Sequence, residues 1–202
     1  MSYERWLHLM QAFGFGSNNE IFKALFAAYS EHHRYYHTAQ HITAVLQHFD
    51  AAIDLFECAR EVELALWFHD AVYKPMSATN ELDSADWAAE FLLTQGAAPK
   101  QVEKVHGLIM ATVHSTVCET ADESLLIDID LTILGASEKN YNDFEQAIRR
   151  EYRLVPYFLY RKKRKEILQG FLTRDRIYQN DYFFDKLESQ ARLNMDKAVA
   201  AL

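Results

Sequence analysis

The sequence predicts an all-α fold, and two observations carry that expectation. Only six glycines and three prolines punctuate 202 residues. The long intervals between them repeat apolar residues at three- and four-residue spacing, the period of a helix with one buried side. Half of the residues are hydrophobic, enough for one compact domain over 1–202 with a sizeable core. Within it, the stretch of about 20–135 holds the residues of chemical interest and about 136–202 forms a helical C-terminal part.

Taken in order, a first helix from about Tyr3 to Ala12 places Trp6, Leu7 and Met10 on one side and stops at Gly14-Phe15-Gly16-Ser17. A second starts near Asn18 or Asn19, both good N-cap types, and buries Ile21, Leu25, Phe26 and Tyr29. After a polar, ring-rich turn at 30–35, a third begins near His37 and runs through Ile42, Val45, Leu46 and Phe49, which puts His37 and His41 on one face. From Arg60 the chain grows steadily more apolar until His69-Asp70, a charged doublet that needs a partner at the buried end of a helix. Helices over about Asn80–Leu93 and Pro99–Thr112 follow, with His114 just beyond the second. The segment Leu125–Leu131 alternates like a short strand but has no strand neighbours elsewhere, so a helix is expected there too. Further helices are expected near Glu138–Tyr152, Pro156–Leu172 and Asp181–Ala200.

Composition sets bounds on function. A formal charge of −8 predicts no general attraction to nucleic acid or anionic lipid, so any phosphate must be met locally. Two unpaired-looking cysteines, Cys58 and Cys118, and no charged-then-apolar leader lead us to expect a cytoplasmic protein. No apolar run approaches the about 18 residues of a membrane span. The aromatic content is compatible with a homodimer without requiring one.

Four residues stand out as metal ligands: His41, His69, Asp70 and Asp130. Two imidazoles and two carboxylates suit a hard or borderline divalent ion and leave positions open for water, the mark of a catalytic site. His69 and Asp70, adjacent on a helix, point about 100° apart, so both reach one ion only where helices converge in a bundle core. Such an ion lowers the pKa of water from 15.7 toward about 7 and polarises a phosphoryl oxygen. A leaving group then needs a proton, and His37, one turn from His41, is placed to donate it. The competing reading of the four residues is a structural salt-bridge network, and the roles of His37 and His41 are open to exchange.

In that order, His41, His69-Asp70 and Asp130 resemble the H…HD…D signature of the HD superfamily of metal-dependent phosphohydrolases. Tyr36-His37-Thr38-Ala39-Gln40-His41 is similar to the Tyr-His-Asn-x-x-His motif of cyclic-nucleotide phosphodiesterases, with Thr38 in place of Asn. That motif implies a general acid at His37 and a ligand at His41. The later histidine of those enzymes is absent, with Tyr73 and Lys74 in its neighbourhood, so cyclic-nucleotide specificity is not implied. With His69-Asp70-Ala71-Val72-Tyr73, Asn80–Ala85 and Asp128–Gly135, most of the chain looks closer to small bacterial proteins described as predicted HD phosphohydrolases. The resemblance implies an HD helical bundle and hydrolysis of a small phosphoester such as a nucleotide, with one or two ions of Mn, Mg, Fe, Co or Zn. Two other classes compete: an HD-type di-iron oxygenase, and a module that binds metal or nucleotide without turnover.

Further candidates each have a structural alternative. Glu81 could position water, but Glu81 and Asp83 also complement a helix dipole behind Asn80. Ser84, one turn from Glu81, is a candidate substrate contact, and His114 a candidate ligand of a second ion. Arg161 and Arg164 fall on the stripe of Tyr157, Leu168 and Phe171 and would bind phosphate if turned inward, though an internal carboxylate such as Glu145 or Glu151 explains them equally. Tyr35, Tyr36, Tyr73 and Trp67 could stack a base, with core packing as the default. His8, His32, His33, His48 and His106 are read as structural or surface residues.

Overall fold

The computed structural model describes residues 1–113 and 118–202. Among them all regular structure is helical: α1 (Tyr3–Phe13), α2 (Asn19–Ala28), α3 (Ala39–Ala51), α4 (Ala59–Phe68), α5 (Asn80–Thr94), α6 (Pro99–Met110), α7 (Ala121–Asp130), α8 (Glu138–Glu151), α9 (Tyr157–Leu172) and α10 (Asp181–Ala201). Short 3-10 turns at Ile53–Leu55, Ala111–Val113 and Leu131–Gly135 join some of them. The alternating segment at 125–131 is thus helical to Asp130. Internal contacts group the chain into two compact units, Met1–Ile127 and Asp128–Leu202. The division falls inside α7.

In the first unit the organising element is α4, which packs against α1, α3, α5 and α6. Its last five residues, Leu64, Ala65, Leu66, Trp67 and Phe68, are completely buried. A helix apolar all round has no face to give to water and becomes the centre of its bundle. Trp67 meets Trp6 edge-on at 5.4 Å and Phe22 at 6.2 Å, and Phe68 stacks on Phe91 at 5.7 Å. The consequence for function is positional: the residues after Phe68 emerge at the end of the most tightly held helix in the unit.

Local signals set the other ends. Gly14, at φ 74°, ends α1 in the left-handed conformation that a glycine adopts without a Cβ penalty. At α3 the Thr38 side chain accepts from the Gln40 N–H, so the helix starts at Ala39 and not at His37. Asn18 precedes α2 as expected, but its amide turns away to the Gly16 carbonyl and Gln95.

The second unit is held by α10, which packs on α9 and on the Leu131–Gly135 turn. Gly135 sits so close that a Cβ would lie 2.6 Å from Leu187 Cβ and 2.9 Å from its carbonyl oxygen. Backbone cannot yield as a flexible side chain does, so Gly135→Ala is expected to lower stability by about 1–3 kcal/mol in urea denaturation. An unchanged midpoint would show that the contact relaxes freely. Two buried carboxylates fix the approach to α10: Asp128 accepts from the N–H groups of Gln179 and Asn180, and Glu188 from those of Ile177 and Tyr178. Asp128, beside Asp130 in sequence, is therefore a structural acceptor.

Candidate metal centre

His41 lies on the first full turn of α3, 5 % exposed, and His69 caps the C-terminus of α4, 1 % exposed. A helix C-terminus leaves carbonyls without intrahelical partners. One of them, Leu66 O, lies 3.0 Å from His69 Nδ1. A carbonyl can only accept, so Nδ1 carries the proton and Nε2 faces the other way. There it lies 3.2 Å from His41 Nε2 and 3.1 Å from Asp70 Oδ2, and His41 Nε2 is 3.4 Å from the same oxygen.

This triangle needs a shared proton or a cation at its centre. With Nδ1 committed to Leu66, a neutral His69 would turn a lone pair on a carboxylate oxygen 3.1 Å away, two acceptors with nothing to share. Either a proton or a metal ion must resolve the contact. Ligands about 2.0–2.2 Å from one ion lie about 2.8–3.6 Å apart in cis-octahedral or tetrahedral arrangement, and all three observed separations fall in that window. Asp130, the fourth candidate, is the last residue of α7 and falls in the second unit. The cluster could hold a divalent ion and is compatible with an HD-type metal site.

Electrostatics agree. Burial pushes the Asp70 carboxyl up, but the charges of His69 and His37 and hydrogen bonds from His41 and His69 outweigh it, holding the group well below the usual carboxylate range. Asp70 is thus a carboxylate anion throughout the neutral range.

His37 stands beside this set. It precedes the Thr38 cap, so the shared helical face expected from the sequence does not exist. Its ring is nevertheless edge-on to His41 at 6.1 Å and stacked on Tyr73 at 4.1 Å. His41 supplies a nitrogen that meets both His69 and Asp70.

The other candidates separate. Glu81 occupies the first turn of α5 with Asp83 and is not a member of the described cluster. The hydroxyl of Ser84 is fully buried, accepting from Val72 N–H at 3.0 Å and donating to Val72 O at 3.3 Å, so it pins the chain after the His-Asp doublet and is closed to substrate. Arg164 gives its fork to Glu145 at 2.6 and 3.1 Å, which is the internal-carboxylate reading. Arg161 is exposed and lies over the Tyr157 ring instead of turning inward with Arg164. His114 lies outside the described residues. Of the proposed stacking rings, Trp67 is core, and Tyr73 is taken on its faces by His37 and by His33 at 6.2 Å.

Arg34 was not singled out by the sequence and is central here. Its side chain is fully buried. Nη1 donates to His37 O at 3.2 Å and Asp70 O at 2.6 Å, Nη2 to Ala71 O at 2.9 Å, and Nε to Glu31 at 2.9 Å. The rings of Tyr29 and Tyr73 lie 5.2 and 5.5 Å from its guanidinium carbon. One side chain thus ties the segment carrying His37 to the segment carrying Asp70. The only sequence signal was an arginine three residues after Glu31 in the turn before the histidines.

Comparison with protein-family models, with curated proteins and with solved structures finds no match. Among the described residues, no helix is long and apolar enough to cross a membrane.

Proposed function

We propose that the chain is a metal-dependent phosphohydrolase of HD type that cleaves a phosphoester of a small molecule, a nucleotide or related metabolite, by hydrolysis. The supporting observation is the meeting of His41 Nε2, His69 Nε2 and Asp70 Oδ2 at 3.1–3.4 Å, to which this reading adds Asp130 as the fourth ligand. A divalent ion held by these four supplies an acidified water and neutralises charge on a phosphoryl oxygen. The chain's own part is to fix the donors before substrate arrives. Leu66 O holds the His69 tautomer, Arg34 holds the backbone at Asp70, and Ser84 holds Val72. The His37 imidazole protonates the leaving oxygen, while Tyr73 restricts its ring. Glu81 is retained as a candidate for orienting water.

The test is metal analysis of wild type and Asp70→Ala, followed by a divalent-ion-supplemented screen of nucleotide mono-, di- and cyclic phosphates with both. Metal in wild type, its loss in the variant, and phosphate release that falls to background with it are expected. Equal metal in the two proteins would break the ligand assignment. Bound iron with a visible absorption band and no phosphate release would favour an oxygenase, and metal without turnover a binding module.

A further inference from the structure

The turn between α8 and α9 displays a surface that the metal chemistry does not use. Leu154 is 85 % exposed, Phe158 70 %, Tyr157 56 % and Leu159 47 %, all within six consecutive residues. A single exposed leucine needs no explanation, but four large apolar side chains over this turn and the first residues of α9 do. Their surroundings are basic. Between residues 145 and 166 there are eight basic and three acidic residues, a net of +5, so the rest of a chain with total charge −8 carries −13. Two of the acids answer specific cations: Glu145 pairs with Arg164, and Glu166 lies 3.7 Å from Lys163. Lys162 and Lys163 are exposed, and Arg161 covers one side of Tyr157.

We infer that this turn docks the protein on an anionic lipid bilayer, with Leu154 and Phe158 entering the interface and Lys162 and Lys163 meeting the headgroup charge. The pattern is that of a peripheral anchor, apolar side chains at the tip and cations directly behind them. The overall negative charge does not forbid it. Screening reduces charges beyond about 8 Å at physiological ionic strength, so the local patch, not the sum over the molecule, decides the encounter. Nucleic acid would use the cations but offers nothing to Leu154 and Leu159. A two-fold dimer through the same face would set +5 against +5. The positive end of the sixteen-residue α9 lies at this turn and adds to its attraction for anions.

The experiment is co-sedimentation of the full chain with vesicles of phosphatidylcholine alone and of phosphatidylcholine with phosphatidylserine at about 2:1. Wild type is expected to bind the mixed vesicles about tenfold better or more, with binding lost as sodium chloride is raised. The double variants Leu154→Glu/Phe158→Glu and Lys162→Glu/Lys163→Glu are expected to remain in the supernatant with unchanged melting temperatures, since all four side chains are exposed. No binding by wild type, equal binding to both vesicles, or binding by both variants as by wild type would overturn the proposal. So would a wild-type dimer in analytical ultracentrifugation that Leu154→Glu/Phe158→Glu converts to monomer, which would assign the face to a second copy. The same run in EDTA is expected to give the same result, so this inference and the metal-site reading stand or fall separately.

Discussion

Arg34→Met is expected to lower the stability of the metal-free protein by about 3–5 kcal/mol. Methionine fills much of the volume between Tyr29 and Tyr73, so the loss is not mainly one of packing. It comes from polar groups left behind. The carbonyls of His37, Asp70 and Ala71 each lose a charged donor, and Glu31 loses its arginine. A buried acceptor left without a partner costs about 1–3 kcal/mol. Arg34→Lys restores the charge but not the planar fork that reaches two segments at once, so it is expected to recover less than half of the loss. Urea denaturation in EDTA reads the stability. Metal affinity measured on the folded variants reads the second consequence, a weaker site, because the His37 and Asp70 segments are no longer tied together. A Met variant as stable as wild type would show that those carbonyls find water, and that the guanidinium organises nothing.

Arg34 also marks the limit of what could be read in advance. Helix positions were legible because they depend on periodicity and end signals. Gly14 and Pro99 stand where the ends of α1 and α6 require them, and the run that grows more apolar toward His69 announced a buried helix end. The candidate ligands could be singled out for a related reason: buried imidazoles and carboxylates in apolar segments need a common partner. Contacts to backbone leave no such mark. Nothing in the residue types says that Leu66 O would choose the His69 tautomer, that Ser84 would spend its hydroxyl on Val72, or that Arg34 would hold three carbonyls. The same blindness misplaced the start of α3. Periodicity reached back to His37, while the Thr38 cap, a one-residue event, set the boundary at Ala39. Arg164 illustrates the converse. Its stripe position was right, but only the bidentate contact to Glu145 separates a structural fork from a phosphate ligand.

His37→Ala is expected to keep the metal and lose the acid. The side chain is not one of the four proposed ligands, and its ring lies 6.1 Å from that of His41, so metal content should match wild type. Removing a general acid costs about 10²–10⁴ in turnover when the leaving group is a poor one, such as a sugar alkoxide. A leaving group that departs as a stable anion needs no proton. On a p-nitrophenyl phosphoester the variant is therefore expected to retain most of its wild-type rate, provided the ion and its ligands are intact. The comparison separates protonation from positioning. If His37 only supported Tyr73 or the start of α3, its loss would slow both substrates alike. Loss of metal along with the ring would instead make His37 part of the ion's support. A selective fall on the poor leaving group assigns the proton to the imidazole that stacks on Tyr73 at 4.1 Å. Carboxylates holding an ion could not replace it, because each would give its charge to the ion and have no proton to donate.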